Sequence, residues 1–337
     1  MKTLKNSLRW KLNYLFIFLI LTLNSFSQKN NVVVALKING YPFPVSYLEI
    51  NAQQNTYRMT YMYVQSSKPN GKTVVLLHGK NFNGSYWKTT AELLSELGYT
   101  VVIPDQIGFG KSSKPENFQY SFQQLAMNTK TLLDTLKIKS AIVLGHSMGG
   151  MLAVRFALMY PELVSKLILE DPIGLEDYKL KVPYQSINDL YTKEIKQNYE
   201  SLKKYQQENY YHGRWKPEYD EWLNAMVEQT LENDYPLIAK NNALTTDMIM
   251  TQPIVYELQN IKASTFLIIG SLDKTALGKD LVSKDVQQTM GNYKELGEQT
   301  EKIIPSCKLQ IIDEVGHLPH IESFEKFKIV LLEFLGE

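Results

Sequence analysis

Five consecutive residues, Gly145-His146-Ser147-Met148-Gly149, hold the strongest chemical signal in the sequence. A serine hydroxyl is a weak nucleophile unless a tight turn exposes it beside a base, and small flanking residues let strand and helix backbones approach closely enough to make that turn. The run follows an apolar stretch at 141–144 and precedes a helical pattern that starts at Met148 and ends at Tyr160, just before Pro161. In this strand-turn-helix setting a G-x-S-x-G run carries nucleophilic chemistry; elsewhere it is a common chance match. The serine needs a proton acceptor, and the sequence offers His78, His146, His212, His317 and His320. An imidazole in that role needs a carboxylate behind it to fix its tautomer. Asp273, in Gly270-Ser271-Leu272-Asp273-Lys274, and Asp171, in Leu169-Glu170-Asp171-Pro172, both follow strand-like runs. Either also suits an ordinary turn aspartate that caps a backbone amide. There is no metal-ligand spacing, no G-x-G-x-x-G after the first strand and no P-loop, so no metal or nucleotide cofactor is expected.

These residues need a scaffold. Apolar, β-branched runs at 73–77, 100–103, 141–144 and 166–169 are short, nearly continuous and soon followed by Gly, Asp or Pro, the pattern of strands buried on both faces. Helical patterns at 88–97, closing at Gly98, and at 121–136, with Leu125, Leu132, Leu133 and Leu136 in register, lie between them. The alternation predicts crossover connections and a parallel sheet. Shorter β-type runs at 32–38 and 45–64 come first. From 175 to 262 the strand rhythm stops, and helical stretches are expected at 187–207 and 218–231. The strand pattern resumes at 265–269 and 308–312, and a final amphipathic helix covers 324–335. The expected organisation is a core at 28–174 and 263–337, with a helical lid at 175–262 walling a site at the strand ends.

With 337 residues, 44% of them hydrophobic and 21% charged, the chain is neither disordered, collagen-like nor a multi-span membrane protein. Its 36 Lys and Arg against 35 Asp and Glu include no block of like sign, so nucleic acid is not an expected partner. Lys2, Lys5, Arg9 and Lys11 precede an apolar stretch at 14–23, and Ser25 and Ser27 stand three and one residues before a cut. A signal peptide at 1–27 is expected, with the mature chain secreted or periplasmic and starting near Gln28. The alternative is a retained membrane anchor, but the apolar stretch is about half the ~20 residues a bilayer span needs, so cleavage is expected, with no stable membrane insertion once the leader is removed. Removing four basic residues and no acidic one takes the formal charge from +1 to −3. Cys307 is the one cysteine, so stability must come from a buried core and not from internal disulfides.

The chain resembles the α/β-hydrolase superfamily over residues 73–174 and 263–335. The resemblance rests on Leu76-Leu77-His78-Gly79, on Pro104-Asp105-Gln106-Ile107-Gly108-Phe109-Gly110-Lys111-Ser112, on the serine elbow, and on the order Ser, Asp, His. It implies an α/β fold with a mostly parallel central sheet flanked by helices and a helical cap inserted after the sixth strand. It also implies Ser147 as nucleophile, and His317, in Asp313-Glu314-Val315-Gly316-His317-Leu318-Pro319, as base in preference to His320. Asp273 is implied as the orienting acid in preference to Asp171, with the backbone N–H groups of Met148 and Lys80 as the oxyanion hole. His78 and His146 are then structural. Asn81 stands where a common form of the family has proline, and the Lys80 amine is expected to face solvent. A serine nucleophile sets the chain apart from the haloalkane dehalogenase and epoxide hydrolase branches.

The expected function is hydrolysis of a carboxylic ester of a small to medium apolar or aromatic substrate through an acyl-enzyme, without a cofactor. Tyr199, Tyr205, Tyr210, Tyr211, Trp215, Tyr219, Trp222 and Tyr235 make the lid aromatic. They suit a packed helical layer, or an aromatic-walled pocket softened by Met248 and Met250. On the same fold, an aminopeptidase-like amide hydrolase would need a lid carboxylate for a substrate ammonium, for which Glu218, Asp220, Glu221 and Glu228 are available. Lactonase and cofactor-free haloperoxidase activities are further alternatives. From another class comes a catalytically idle protein that binds a ligand or partner.

Overall fold

A computed structural model of the chain describes residues 33–36 and 40–336, so the leader expected at 1–27 lies outside the described residues. Among these residues nine strands form one sheet: β1 (Val33–Leu36), β2 (Val45–Ala52), β3 (Asn55–Val64), β4 (Thr73–Leu77), β5 (Thr100–Pro104), β6 (Ala141–His146), β7 (Val164–Glu170), β8 (Ser264–Gly270) and β9 (Cys307–Ile312). Their order is β1-β2-β3-β5-β4-β6-β7-β8-β9. The β1, β2, β3 and β5 pairings are antiparallel, whereas β5 through β9 run parallel.

Side chains alternate across the sheet, as a period of two requires. Leu77, Val143, Leu167, Leu169, Leu267 and Ile269 point into one core layer, and Leu76, Ile142, Leu144, Ile168, Phe266 and Ile268 into the other. The first layer is covered by α2 (Phe122–Thr135) and α3 (Met148–Met159), and the second by α1 (Lys88–Glu96) and α11 (Phe324–Leu335). Burial on both faces is why these strands are apolar throughout instead of alternating with polar residues.

Between β7 and β8 the chain forms α4 (Ile187–Glu194), α5 (Tyr199–Asn209), α6 (Asp220–Thr230) and α7 (Tyr235–Thr251). After β8 come α8 (Lys284–Gln288) and α9 (Tyr293–Ile303), and α10 (Pro319–Glu322) leads into α11. One expectation is corrected here. The helix expected at 187–207 is two helices, because Asn198 accepts a hydrogen bond from the Ser201 N–H while Ser201 accepts from the Asn198 N–H, which starts a new helix. The insertion follows β7, which is the expected sixth strand once β1, an additional antiparallel strand at the edge of the sheet, is set aside. Among the described residues no helix is long and apolar enough to cross a membrane.

Candidate active site

Ser147 occupies the single residue between β6 and α3, with φ 56° and ψ −121°. This left-handed backbone turns the chain within one residue and lifts the side chain above the sheet edge. The glycines around it are sterically required: a Cβ on Gly145 would run into the Gly149 carbonyl, and one on Gly149 into the Leu77 carbonyl. The sheet reverses its winding between β5, β4 and β6, and a crevice outside the strand ends is the usual place for a ligand at such a point.

Parallel β8 and β9 end on the same side of the sheet, so the loops that follow them meet the serine turn. Ser147 Oγ lies 3.0 Å from His317 Nε2, and His317 Nδ1 lies 2.8 Å from Asp273 Oδ2. The other carboxylate oxygen, Asp273 Oδ1, accepts the Thr275 N–H at 2.8 Å. Ser147, His317 and Asp273 are all buried.

The His317 loop is braced on every side. Its backbone N–H donates to the Tyr210 carbonyl at 2.9 Å, and the neighbouring Gly316 N–H donates to Glu322 Oε2 at 2.6 Å. Its carbonyl accepts from His146 Nε2 at 2.7 Å. Burial, and then the neighbouring imidazoles, hold His146 well below the usual histidine range, so it is neutral. With Nε2 donating, its Nδ1 accepts from the Tyr86 hydroxyl at 3.1 Å, and that hydroxyl accepts the Gly79 N–H at 2.9 Å. Tyr86 has no signal in the sequence, and Tyr210 stands there only as one of eight lid aromatics, because each reaches the His317 or His146 segment across a long separation in the chain.

The other histidines and the second aspartate are engaged elsewhere. His78, kept neutral by burial, has Nε2 accepting the Gln106 N–H at 3.0 Å. His320 Nδ1 meets Glu170 Oε1 at 2.9 Å, and its ring stacks on Trp87 with centroids 4.3 Å apart. His212 is exposed. The Asp171 oxygens both face the Gly270 N–H, at 2.9 and 3.2 Å. Burial first, and then the charge of Asp273, push the Asp171 carboxyl well above the usual carboxylate range.

The loop after β4 lies against the serine: a Cβ on Gly79 would sit 3.2 Å from Ser147 Cβ. The next N–H, of Lys80, and that of Met148 at the first position of α3 have no hydrogen-bond partner among the described residues. The Lys80 amine does not face solvent as expected. Its Nζ pairs with Glu194 Oε1 at 2.7 Å, with both side chains mostly buried, because the end of α4 passes over this loop. Asn81 likewise donates through Nδ2 to the Tyr210 hydroxyl at 2.6 Å.

A cavity of about 810 Å³ lies above Ser147, between the strand ends and the inserted helices. Phe82, Phe109 and Ile173 line it from the sheet side, and Leu190, Tyr205, Tyr210, Tyr235, Ile238, Ile249 and Met250 from the insertion. Tyr211 and Tyr219 instead stack on each other, with centroids 3.8 Å apart, as packing. Glu218, Asp220, Glu221 and Glu228 do not line the cavity; its acidic groups are Glu194, Glu208, Asp247 and Asp280. Among the described residues no group of three or more His, Cys, Asp or Glu is placed to hold a metal ion.

Sheet order, serine turn and strand-end cavity together define a class, and the chain belongs to the alpha/beta hydrolase fold family, whose model matches residues 72–324. The protein is a hydrolase of that fold. It is similar to the crystal structure of a probable hydrolytic enzyme from Pseudomonas aeruginosa PAO1, with 45% identity and a TM-score of 0.86 over 88% of this chain and 95% of that one. It is 29% identical over 270 residues to the 2-hydroxy-6-oxononadienedioate/2-hydroxy-6-oxononatrienedioate hydrolase of Paraburkholderia phymatum, covering 79% of this chain and 88% of that protein. It is also 27% identical over 297 residues to Lipase 1 of Psychrobacter immobilis, covering 86% and 85% respectively.

Proposed function

We propose that the protein is an exported serine hydrolase that cleaves carboxylic esters of small to medium apolar or aromatic substrates, with the inserted helices as its cap. The observation that carries the reading is the continuous line from Ser147 Oγ through the His317 imidazole to Asp273, at 3.0 and 2.8 Å. In this mechanism Ser147 Oγ attacks the ester carbonyl carbon as His317 Nε2 takes its proton, and the carbonyl π pair moves onto oxygen. The N–H groups of Met148 and Lys80 stabilise that oxyanion, a contribution worth roughly 10²–10³ in rate per donor. Collapse expels the alcohol, which receives the proton from His317. Water then attacks the acyl-enzyme with His317 again as base, releasing the acid and restoring the serine. Asp273 holds Nδ1–H toward itself, leaving Nε2 free to accept.

The apolar and aromatic lining supports an apolar acyl or alcohol group, and a volume of about 810 Å³ suits a medium-sized one. The lipase among the relatives supports ester chemistry, and the basic-apolar leader supports export. A p-nitrophenyl ester series of increasing acyl length, run beside aminoacyl anilides with wild type and Ser147→Ala, tests the proposal. Ester turnover abolished in Ser147→Ala is expected. Rapid anilide cleavage with negligible ester turnover, or a wild-type serine that a fluorophosphonate leaves unlabelled, would overturn it.

A further inference from the structure

We infer that Tyr210, following α5 in the inserted helices, is a positioning residue for the base, so that the insertion holds the reacting geometry as well as walling the cavity. This rests on the reading of Ser147, His317 and Asp273 as the reacting residues. The Tyr210 carbonyl accepts the His317 backbone N–H at 2.9 Å, and its ring lies on the imidazole with centroids 5.0 Å apart and planes 27° from parallel. Its hydroxyl accepts from Asn81 at 2.6 Å, which ties it to the loop that carries the Lys80 N–H. One residue earlier, the Asn209 carbonyl accepts from Thr275 Oγ1 at 3.1 Å, and the Thr275 N–H in turn holds Asp273. The turn that ends α5 therefore touches the base loop, the acid loop and the oxyanion loop at once. Gly316 makes the approach possible, because a Cβ there would collide with the Tyr210 carbonyl.

The ring contact also discriminates between charge states. An aromatic face attracts a cation much more strongly than a neutral ring, so the stack strengthens as the serine proton reaches His317. Interactions that are stronger in the transition state than in the ground state raise kcat and leave KM alone. The groups facing the imidazole from the packed elements are Asp273 after β8, neutral His146 at the end of β6, Tyr293 on α9 and Tyr210 itself, with Glu322 of α10 below the adjoining Gly316 N–H. Among the described residues Tyr210 alone stacks on the ring; His146 is tilted 56° to it with centroids 4.8 Å apart, and Tyr293 meets it edge-on at 6.5 Å.

The test is steady-state kinetics on p-nitrophenyl esters across the pH range 5 to 9 for wild type, Ser147→Ala, Tyr210→Leu and Tyr210→Phe, with a melting curve for each. Tyr210→Leu is expected to lower kcat about tenfold with KM within about twofold, and to move the acid limb of the kcat/KM profile to lower pH as the imidazolium loses its aromatic face. Tyr210→Phe keeps the face and loses the Asn81 tie, and restores kcat to within about threefold together with the limb. Tyr210→Met makes the same comparison if Leu costs the fold. An unchanged kcat and acid limb in the aliphatic variants, or equal losses in Phe and Leu with the limb unmoved, would overturn the inference. An inert, unlabelled wild type would instead overturn the reading of the site, and is visible before any variant is compared.

Discussion

Asparagine at position 273 removes one charge and almost no volume, and the surrounding hydrogen bonds dictate how it sits. The Thr275 N–H, 2.8 Å from Asp273 Oδ1, demands an acceptor, so the asparagine oxygen takes that place and its NH₂ faces His317 Nδ1. Nδ1 must then accept, the ring proton moves to Nε2, and Nε2–H points at Ser147 Oγ from 3.0 Å where a base is needed. Asp171 does not rescue the site, because both of its carboxyl oxygens are directed at the Gly270 N–H. A wrong tautomer in such a relay costs about 10⁴ in kcat, or about 5 kcal/mol at 1.36 kcal/mol per tenfold. The assay is turnover of the best p-nitrophenyl ester at pH 8, beside the rate of fluorophosphonate labelling of Ser147. Both should fall together while the melting temperature stays near that of wild type. A variant within tenfold of wild type on both measures would refute the assignment of Asp273 as the group that sets the tautomer.

The same geometry makes three other changes informative. Asp171→Asn should retain activity within about threefold, because an amide can keep the Gly270 bond and a donor toward Asp273. Asp171 keeps its proton in the folded state at pH values where the unfolded chain has lost it, above about 4, so wild-type stability falls as pH rises through that window. The Asn variant should therefore melt like wild type at pH 4 and above it at pH 8; an equal difference at both would refute the sign. Glu194→Gln leaves the Lys80 ammonium in the cavity without its carboxylate. It should raise kcat/KM for p-nitrophenyl hemisuccinate relative to the butyrate by about tenfold, the size of a charge-assisted hydrogen bond; an unchanged ratio would place Lys80 away from the bound acyl group. Gly145→Ala must push against the Gly149 backbone, an overpacking cost of roughly 1–3 kcal/mol, and should lower the melting temperature by several degrees.

Local patterns carried the sheet and the serine turn into view. Strands β4 to β8 are buried on both faces, so their runs are continuous and end near Gly or Pro, and Gly145 and Gly149 stand where backbones touch. Helix α7 escaped, although it is 17 residues long, because its buried face includes Asn241 and Thr245. Asn241 satisfies its amide on the Pro115 and Leu237 carbonyls, so a polar residue sits where periodicity demands an apolar one. The resemblance singled out Asp273 and His317 by place in the chain, but the Tyr210 stack and the Lys80–Glu194 pair join distant segments and leave no local trace. The carboxylates of α6 stay ambiguous in sequence for a related reason: acidic side chains on an outer helical face look the same there as those aimed into a pocket, and these do not line the cavity.

The backbone at Ser147, with φ 56°, is one that L side chains disfavour by roughly 1–3 kcal/mol. Glycine would occupy it freely, and its extra freedom in the unfolded chain would offset only about 0.4–1 kcal/mol of that gain. A mutant stripped of its hydroxyl by glycine should therefore melt higher than the parent. Under the proposed mechanism the same change abolishes turnover, so stability and activity pull this one backbone position in opposite directions.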